Sequence, residues 1–301
     1  MTHKCMGPLF FIMLTGLLVA AIPNSTSAQT PASSNRVLLV SCDGLRPDAI
    51  PLANTPVLKR LIDTGSYQSR ALAELPPVTL PNHASIVTGL SVAQHGILFN
   101  TFAPGRIDAT TIFDVAESAG LGVGFFANKG KLAFLCEESA VDVWRITGDV
   151  DTLANEVVAA IETHDLQLIF VHFGEPDGAG HQHGWMSEAY LEQVARVDAA
   201  LGRILDALEA GNFLDQTLVI VTSDHGGHDH THWLNIAEDR FVPYILNGPA
   251  IAPGRTLCDQ IHAMDAAATA LKWLDLPLES ARDGTPIDEA AVAFTQPGTR
   301  F

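Results

Sequence analysis

Three short segments of the sequence carry aspartate and histidine at spacings that suit metal binding. Asp43 follows a run of apolar residues, Asp177 and His181 are four residues apart, and Asp224-His225 form an adjacent pair. Carboxylate and imidazole ligands without a cysteine cluster favour zinc at a hydrolytic site. Manganese, or a mixed pair of ions, suits these ligand types almost as well. We therefore predict two metal ions and take both as zinc.

Two metal ions at one site need about six or seven protein ligands, and these segments supply that number. The ligands predicted for the first ion are Asp43, Asp224, His225 and the oxygen of Thr79. Those predicted for the second ion are Asp177, His181 and one histidine of the set His228, His230 and His232. Two ions about 4 Å apart can hold both the attacking and the leaving oxygen of an in-line displacement.

Thr79 is the predicted nucleophile, and it lies in the segment PPVTLPNH just before a predicted helix. A free hydroxyl reacts slowly near neutral pH, but coordination to a divalent cation favours the alkoxide. The positive end of a helix adds a further favourable charge. Alone, Thr79 is typical of a helix cap. Together with this ligand set, Thr79 predicts attack on phosphorus and a covalent phosphothreonine intermediate. Hydroxide at the second ion then hydrolyses that intermediate, and no separate side-chain base is required.

Hydrophobic patterning predicts the elements that position these residues. The predicted strands are Val37–Cys42, Gly122–Ala127, Leu166–Phe173, Thr217–Ser223 and Phe241–Leu246. The predicted helices are Pro56–Asp63, Asn82–Thr88, Thr110–Ala119, Asp151–Thr163, Ser187–Gly211 and Ala263–Leu274. Alternating strands and helices indicate an α/β fold with a mostly parallel central sheet and helices on both faces. In such sheets sites lie outside the carboxyl ends of the strands, which is where the aspartates stand.

A resemblance to the alkaline phosphatase superfamily is carried by the segments VSCDGLRPD, PPVTLPNHASIVTG, HGILFN, EPDGAGHQHG and TSDHGGHDHTH. The most similar branch is the type I phosphodiesterase/nucleotide pyrophosphatase group, over about Arg36 to Leu276. The resemblance implies the same two ligand sets. In related cofactor-independent phosphoglycerate mutases the last ligand stands in a Ser-His-Thr context. Thr231-His232 fits that context best, so His232 is preferred to His228 and His230.

The resemblance also implies residues that bind the substrate. Asn100, in HGILFN, matches an asparagine whose amide contacts a phosphoryl oxygen, where a neutral donor stabilises developing charge. Lys129 and Lys131 follow a predicted strand and match a basic pair that binds extra negative charge in monoesterase and phosphonoacetate-hydrolase relatives. The other interpretation of these lysines is a solvated loop. Asn82 and His83 are expected to support the site without reacting.

Several reactions fit this centre. Hydrolysis of phosphodiesters or nucleotide pyrophosphates is first by resemblance, and hydrolysis of phosphomonoesters or phosphonates follows because of the lysine pair. Phosphotransfer between substrates is disfavoured because no inserted second domain is predicted, and the remote alternative is a non-catalytic metal-binding protein. Trp233 replaces the glycine that relatives often carry after the last ligand, and the Cys-x-Pro-x-Arg pattern of sulfatases is absent. Five histidines lack ligand spacing and are expected to be structural or exposed: His95, His164, His172, His183 and His262.

The start of the chain predicts export. Lys4 precedes an apolar run of about 15 residues, shorter than the roughly 20 needed to cross a bilayer, so residues 1–28 are predicted to be a cleaved signal peptide. Residues 29–35 are predicted to be a disordered leader and 36–301 a single catalytic domain without a large cap. The expected location is periplasmic or secreted, with no stable membrane anchor.

Composition limits the partners. The 17 Lys+Arg against 34 Asp+Glu argue against a nucleic-acid scaffold, so the expected partner is a small phosphate ester. The sequence gives no indication of oligomeric state. Cys42, Cys136 and Cys258 allow at most one disulfide, and buried free thiols are the preferred interpretation.

Overall fold

A central β-sheet organises the part of the chain that the computed structural model describes, which is Met1 and residues 35–258, 260–278 and 282–291. Within these ranges eight strands join into one sheet. The strands are β1 Arg36–Cys42, β2 Ser66–Leu72, β3 Val123–Ala127, β4 Val143–Ile146, β5 Leu168–Phe173, β6 Thr217–Thr222, β7 Phe241–Asn247 and β8 Arg255–Thr256. The predicted signal peptide, residues 1–28, lies outside the described residues. In the described ranges no helix is long and apolar enough to cross a membrane.

The strand order is β4-β3-β5-β1-β6-β7-β2-β8. The pairs from β4 through β6 are parallel, whereas β7 is antiparallel to both β6 and β2. Strands β1, β3, β5 and β6 are buried along their whole length, as apolar strands covered on both faces must be. The prediction of a mostly parallel α/β sheet is therefore confirmed.

Helices cover both faces of this sheet, as the sequence predicted. They are α1 Pro56–Thr64, α2 Thr79–Thr88, α3 Val92–His95, α4 Ile112–Ser118, α5 Val150–Thr163, α6 Glu175–His183, α7 Glu188–Ala210, α8 Ala237–Arg240 and α9 Asp265–Trp273. Because neighbouring residues of a strand face opposite sides, β1 divides the core. Leu39 packs in a cluster with α2, α4 and α9, and Leu38 packs in another with α1, α5 and α7.

The structure corrects several predicted boundaries. Helix α2 begins at Thr79 and not at Asn82, because extended Val78 is its N-cap and Pro81 fits within a first helical turn. Strands β2 and β4 and helix α6 were not predicted, since their sequences lack a strong apolar period. Helix α6 contains two glycines and a proline, which weakens any helix prediction.

The cysteines are free in the structure, and Cys42 and Cys136 are buried as expected. The expectation of burial is wrong for Cys258, which is exposed. Cys258 follows the short edge strand β8, where few neighbours cover it.

Candidate metal centre

One group of ligands stands at the carboxyl ends of two adjacent parallel strands. Asp43 follows β1 and Asp224-His225 follow β6, and all three side chains are completely buried. Gly44, with φ of +72°, turns the chain directly after Asp43. A Cβ at Gly44 would lie 3.0 Å from Asp177, so glycine also lets the second segment approach closely. The sheet itself therefore sets the position of this group.

A second group is built from a helix and a loop. Asp177 and His181 lie one turn apart on α6, so both face the same side. His232 comes from the loop between β6 and α8 and completes the group. His228 and His230 were the alternatives for this ligand. Neither belongs to a group of potential metal ligands among the described residues.

The distances within both groups fit a small tetrahedral ion. Ligand atoms about 2.0 Å from such an ion lie roughly 3.3 Å from one another. In the first group His225 Nε2 is 3.3 Å from Asp224 Oδ2 and 3.5 Å from Asp43 Oδ1. In the second group Asp177 Oδ1 is 3.4 Å from His181 Nε2 and 3.6 Å from His232 Nε2.

The two groups are neighbours. His225 Nε2 of the first is 3.9 Å from Asp177 Oδ1 of the second. Two ions bound by these atoms would therefore lie close together, as in sites where a pair of ions acts on one substrate.

Each of the three carboxylates is held through one oxygen and leaves the other without a hydrogen bond. Asp224 Oδ1 accepts a hydrogen bond from the Gly44 amide at 3.2 Å, while Asp224 Oδ2 has no partner. Asp43 Oδ1, Asp177 Oδ1 and His225 Nε2 are likewise buried without a hydrogen-bond partner. Buried polar atoms without partners are costly, and four of them together indicate a site built for cations.

Lys129 shows how strongly this centre attracts positive charge. Its Nζ is 2.7 Å from Asp43 Oδ2 and 2.5 Å from Asp177 Oδ2. Burial raises the pKa of Asp43, but the Lys129 charge and the His172 hydrogen bond outweigh it and hold that pKa well below its usual range. Burial and the neighbouring Asp43 oppose ionisation of Asp177, yet His181 and Lys129 lower its pKa overall. Burial lowers the pKa of His232 to about 4, which keeps its imidazole neutral as a ligand must be.

Thr79 is the first residue of α2 and is buried. Its carbonyl oxygen accepts a hydrogen bond from His83 Nδ1, which also lies 3.4 Å from Asp224 Oδ2. Two residues earlier, the Pro77 carbonyl accepts a hydrogen bond from His232 Nδ1 at 2.7 Å. The segment that carries Thr79 thus contacts residues of both groups. The Thr79 hydroxyl lies at the positive end of a helix.

Asn100 and Lys131 are connected by hydrogen bonds to each other and to the residue after Thr79. Asn100 Oδ1 accepts hydrogen bonds from the Leu80 amide at 2.9 Å and from Lys131 Nζ at 3.0 Å. The amide nitrogen of Asn100 has no hydrogen-bond partner among the described residues, so it is free to donate. Burial and the nearby Lys129 lower the pKa of Lys131. Both lysine ammonium groups contact residues of this centre, and their role in binding substrate stays a prediction.

The histidines of the loop 228–232 have three different environments. His228 Nδ1 donates to Asp239 Oδ1 at 2.6 Å, and Asp239 Oδ2 accepts a hydrogen bond from the Leu234 amide. One buried carboxylate therefore ties both ends of the segment that contains His232. His230 and His181 exchange two hydrogen bonds between ring nitrogen and carbonyl oxygen. His228 and His230 thus hold the loop, while His232 faces Asp177.

His172 is a residue of this centre that sequence reasoning missed. It is completely buried on β5, and its Nε2 donates to Asp43 Oδ2 at 2.9 Å. His172 was expected to be structural or exposed; it is buried, and its contact with Asp43 was not predicted. A signal existed, because a histidine in the apolar strand LIFVHF pairs in register with Ser41, two residues before Asp43. His83 supports the site as expected, since Ser41 Oγ and the Thr79 carbonyl occupy its two ring nitrogens.

The sheet order and the ligands at its strand ends define an alkaline-phosphatase-like α/β protein, and solved structures support this class. Murine ectonucleotide pyrophosphatase/phosphodiesterase 5, solved as an inactive threonine-to-alanine variant with AMP, gives a TM-score of 0.74 at 18% identity. The match covers 86% of this chain and 100% of that one. The phosphonate monoester hydrolase of Silicibacter pomeroyi gives 0.68 at 16% identity, covering 87% and 78%. At these identities the likeness establishes the fold.

The sequence places the chain in a particular family. A model of the family described as type I phosphodiesterase / nucleotide pyrophosphatase matches residues 37–119 and 132–241. These ranges contain all the predicted metal ligands and Asn100, whereas Lys129 and Lys131 fall between them. The chain belongs to the type I phosphodiesterase/nucleotide pyrophosphatase family, as its motifs predicted.

Curated relatives agree with this assignment. Human ectonucleotide pyrophosphatase/phosphodiesterase family member 7 is 28% identical over 245 residues, which is 71% of this chain and 53% of the relative. Mouse bis(5'-adenosyl)-triphosphatase enpp4 is 28% identical over 242 residues, covering 73% and 51%. The chain spans about half the length of these relatives.

Proposed function

We propose that this protein is a two-metal hydrolase that cleaves phosphodiesters or nucleotide pyrophosphates, with Thr79 as the nucleophile. The observation that carries the proposal is the pair of adjacent ligand groups whose buried oxygen and nitrogen atoms lack hydrogen bonds. Family membership supports phosphate esters as the substrates, and one mouse relative is named as a bis(5'-adenosyl)-triphosphatase. That a solved structural neighbour is inactive as a threonine-to-alanine variant supports a threonine nucleophile.

The residues present fit two divalent ions. Asp43, Asp224 and His225, with the Thr79 oxygen, would hold one, and Asp177, His181 and His232 the other. We take both ions as zinc, because nitrogen and carboxylate donors at tetrahedral separations suit it, with manganese or a mixed pair as the alternative. When bound, such ions lower the pKa of a hydroxyl group or a water and neutralise charge on phosphoryl oxygens.

The chain's own groups account for two steps. Thr79 Oγ bonds to phosphorus as the bond to the leaving oxygen breaks, the Thr79 proton goes to solvent, and the leaving alkoxide takes up a proton. Asn100 Nδ2 donates a hydrogen bond to a phosphoryl oxygen, where negative charge develops. Water then cleaves the phosphothreonine ester, which restores the Thr79 hydroxyl and releases the phosphorylated product.

The lysines support a second candidate function, hydrolysis of phosphomonoesters or phosphonates. Lys131 lies 3.0 Å from Asn100 Oδ1, and Lys129 lies between Asp43 and Asp177. A dianionic monoester gains more from two ammonium groups than a monoanionic diester does. The two reactions share the nucleophile and the metal ligands, so they differ in substrate and not in mechanism.

The test compares turnover of para-nitrophenyl phosphate with that of bis(para-nitrophenyl) phosphate during titration of metal-free protein with zinc or manganese. We expect metal-dependent turnover with the diester preferred. Thr79→Ala should lower turnover by at least about 10³-fold, while Thr79→Ser, which keeps a hydroxyl, should retain more. Full zinc-dependent activity in Thr79→Ala would contradict the proposal. Preference for the monoester, lost selectively in Lys131→Ala, would establish the second candidate function instead.

Location is also a proposal. The apolar start of the chain supports export to the periplasm or the medium by a cleaved signal peptide. Relatives named as ectonucleotide pyrophosphatases agree with an extracytoplasmic site of action. Fractionation of cells that produce the full chain, with sequencing of the mature N-terminus, tests this; a start at Gln29 is expected.

A further inference from the structure

The two lysines of the loop after β3 are two residues apart but have different partners. Lys129 Nζ lies 2.7 Å from Asp43 Oδ2 and 2.5 Å from Asp177 Oδ2. Lys131 Nζ donates to the neutral Asn100 Oδ1 at 3.0 Å and forms no ion pair with a described residue. The charge of Lys129 is therefore shared between two carboxylates, whereas the charge of Lys131 is not neutralised.

The contacts of Lys129 link the two ligand groups, because Asp43 belongs to one group and Asp177 to the other. In both carboxylates Oδ1 lacks a hydrogen bond. Asp43 Oδ1 is 3.5 Å and Asp177 Oδ1 is 3.9 Å from His225 Nε2. Both Oδ2 atoms contact the same ammonium group, which fixes the rotation of each carboxylate and leaves both Oδ1 atoms for cations. The ammonium charge also reduces the repulsion between the two carboxylates.

The loop that carries Lys129 is itself held in place by Asn128. Asn128 Nδ2 donates to the Thr147 carbonyl at 2.8 Å, and Asn128 Oδ1 accepts from the Gly174 amide at 3.1 Å. Gly174 is the N-cap of α6, the helix that contains Asp177. A Cβ at Gly174 would lie 3.3 Å from Asn128 Cβ and 3.4 Å from Lys129 Cε, so glycine lets the loop approach the helix closely.

The ion pairs of Lys129 differ from surface ion pairs, which contribute little. The Asp43 side chain is completely buried, and those of Asp177 and Lys129 are 7% and 22% exposed. Removal of one partner from a buried ion pair leaves an uncompensated charge, which is strongly unfavourable. For Lys131 the position is different, because an ammonium group has three N–H donors and Asn100 accepts only one hydrogen bond from it.

We propose that Lys129 is a positioning residue of the metal centre, which holds the carboxylates of both ligand groups in the geometry that binds two ions. Lys131 is then the lysine whose charge acts on the substrate. The family resemblance implies that both lysines bind substrate, but the contacts of Lys129 favour this different role. The inference rests on the ligand sets of the proposed function.

The test is a calorimetric titration of metal-free protein with zinc. Lys129→Met keeps an unbranched side chain and removes the ammonium group, and it should weaken the binding of both zinc ions by about 10- to 100-fold. Lys129→Gln, a second neutral variant, should show the same loss, and Lys129→Arg, which keeps the charge and the donors, should recover most of it. Lys131→Met is the matched control, because it removes the same charge from the same loop. It should bind both zinc ions as tightly as wild type.

Turnover of para-nitrophenyl phosphate and bis(para-nitrophenyl) phosphate gives a second measurement. At limiting zinc Lys129→Met should lose turnover of both esters equally, and excess zinc should restore both. Lys131→Met should raise KM for the monoester by roughly 10-fold at every zinc concentration and leave KM for the diester unchanged.

Unchanged or increased zinc affinity in both neutral variants of Lys129 would overturn the inference. So would a rise in KM for the monoester alone in Lys129→Met, which would make Lys129 a substrate-binding residue. Failure of the proposed function has a different result: wild type would bind two zinc ions and hydrolyse neither ester, and the zinc titrations would still decide the role of Lys129. Wild type that binds fewer than two zinc ions would overturn the ligand sets and this inference with them.

Discussion

The two halves of the candidate metal centre are built from different kinds of structure. Asp43, Asp224 and His225 follow central parallel strands and are completely buried. In the other half, Asp177 and His181 lie on α6, and the His181 side chain is 43% exposed. The third predicted ligand of that half, His232, comes from a loop. One half thus depends on the sheet and the other on hydrogen bonds that hold a helix and a loop together.

This difference predicts which half of the centre tolerates substitution of the residues around it. Backbone pairing holds the strand-end half, and the Gly44 amide and the His172 ring orient its carboxylates. The helix-and-loop half depends on side-chain bonds, notably those of Asp239 and His230. We therefore expect the second half to lose its ion more readily when residues around it change.

The largest effect is expected for Asp224→Asn. The substitution removes a charged ligand from a site without exposure to solvent, so the first ion should be lost. Turnover should fall by about 10³-fold or more, because loss of the ion removes about several kcal/mol of charge stabilisation in the transition state. Calorimetric zinc titration should show one equivalent bound in place of two. Asp215→Asn, a surface carboxylate before β6, serves as the control. Two tight equivalents in Asp224→Asn would contradict the ligand assignment.

An intermediate effect is expected for Asp239→Asn. Asp239 contacts no predicted substrate group, but it accepts hydrogen bonds from His228 and from the Leu234 amide at the two ends of the segment that carries His232. Affinity for the second zinc ion should fall by about 10- to 100-fold, as for other residues that orient a ligand. The first ion should bind as in wild type. Equal weakening of both ions would show that Asp239 acts on the whole fold and not on one half.

The smallest effect concerns the segment that leads to Thr79, where Glu74 bonds to His262 Nδ1 at 3.0 Å. The Glu74 hydrogen bond raises the pKa of His262 above 6.5, Asp265 adds to this, and burial and Arg240 oppose it. A raised histidine pKa stabilises the folded state fully below the unfolded pKa, about 6.5, and this contribution is lost as pH rises through the folded value.

Glu74→Gln should therefore lower Tm by about 1–2 °C near pH 5.5 and by less near pH 8.5, because a partly exposed pair contributes under about 1 kcal/mol. Thermal unfolding of wild type and variant at both pH values measures the difference. A Tm loss that is the same at both would show that the charge on His262 does not contribute.

The same contrast explains how much of the centre could be predicted from sequence. Asp43, Asp224 and His225 could be placed because a buried apolar run predicts a strand, and the ends of parallel strands meet at one edge. Asp177 and His181 could be paired by their spacing. His232 could not be separated from His228 and His230 without the family resemblance, because their loop has no periodic pattern.

Contacts that depend on side-chain direction were beyond sequence reasoning. Lys129 was placed near the site by the end of β3, but its contacts with Asp43 and Asp177 depend on the geometry of its loop. The antiparallel direction of β7 and the pairing of β2 depend on long-range contacts that no local period encodes. The assignment of residues 36–301 as one catalytic domain stays a prediction.

The central claim is that Thr79 carries the phosphoryl group during turnover. The most direct test is mass spectrometry of zinc-loaded protein mixed with an aryl phosphodiester and quenched in acid within the first turnover, followed by peptide mapping. The account predicts a mass increase on Thr79 that equals the phosphoryl group together with the ester substituent that remains on phosphorus. Thr79→Ala should show no such increase. Rapid product formation in wild type with no modified Thr79 at any quench time, together with an undiminished product burst in Thr79→Ala, would contradict it.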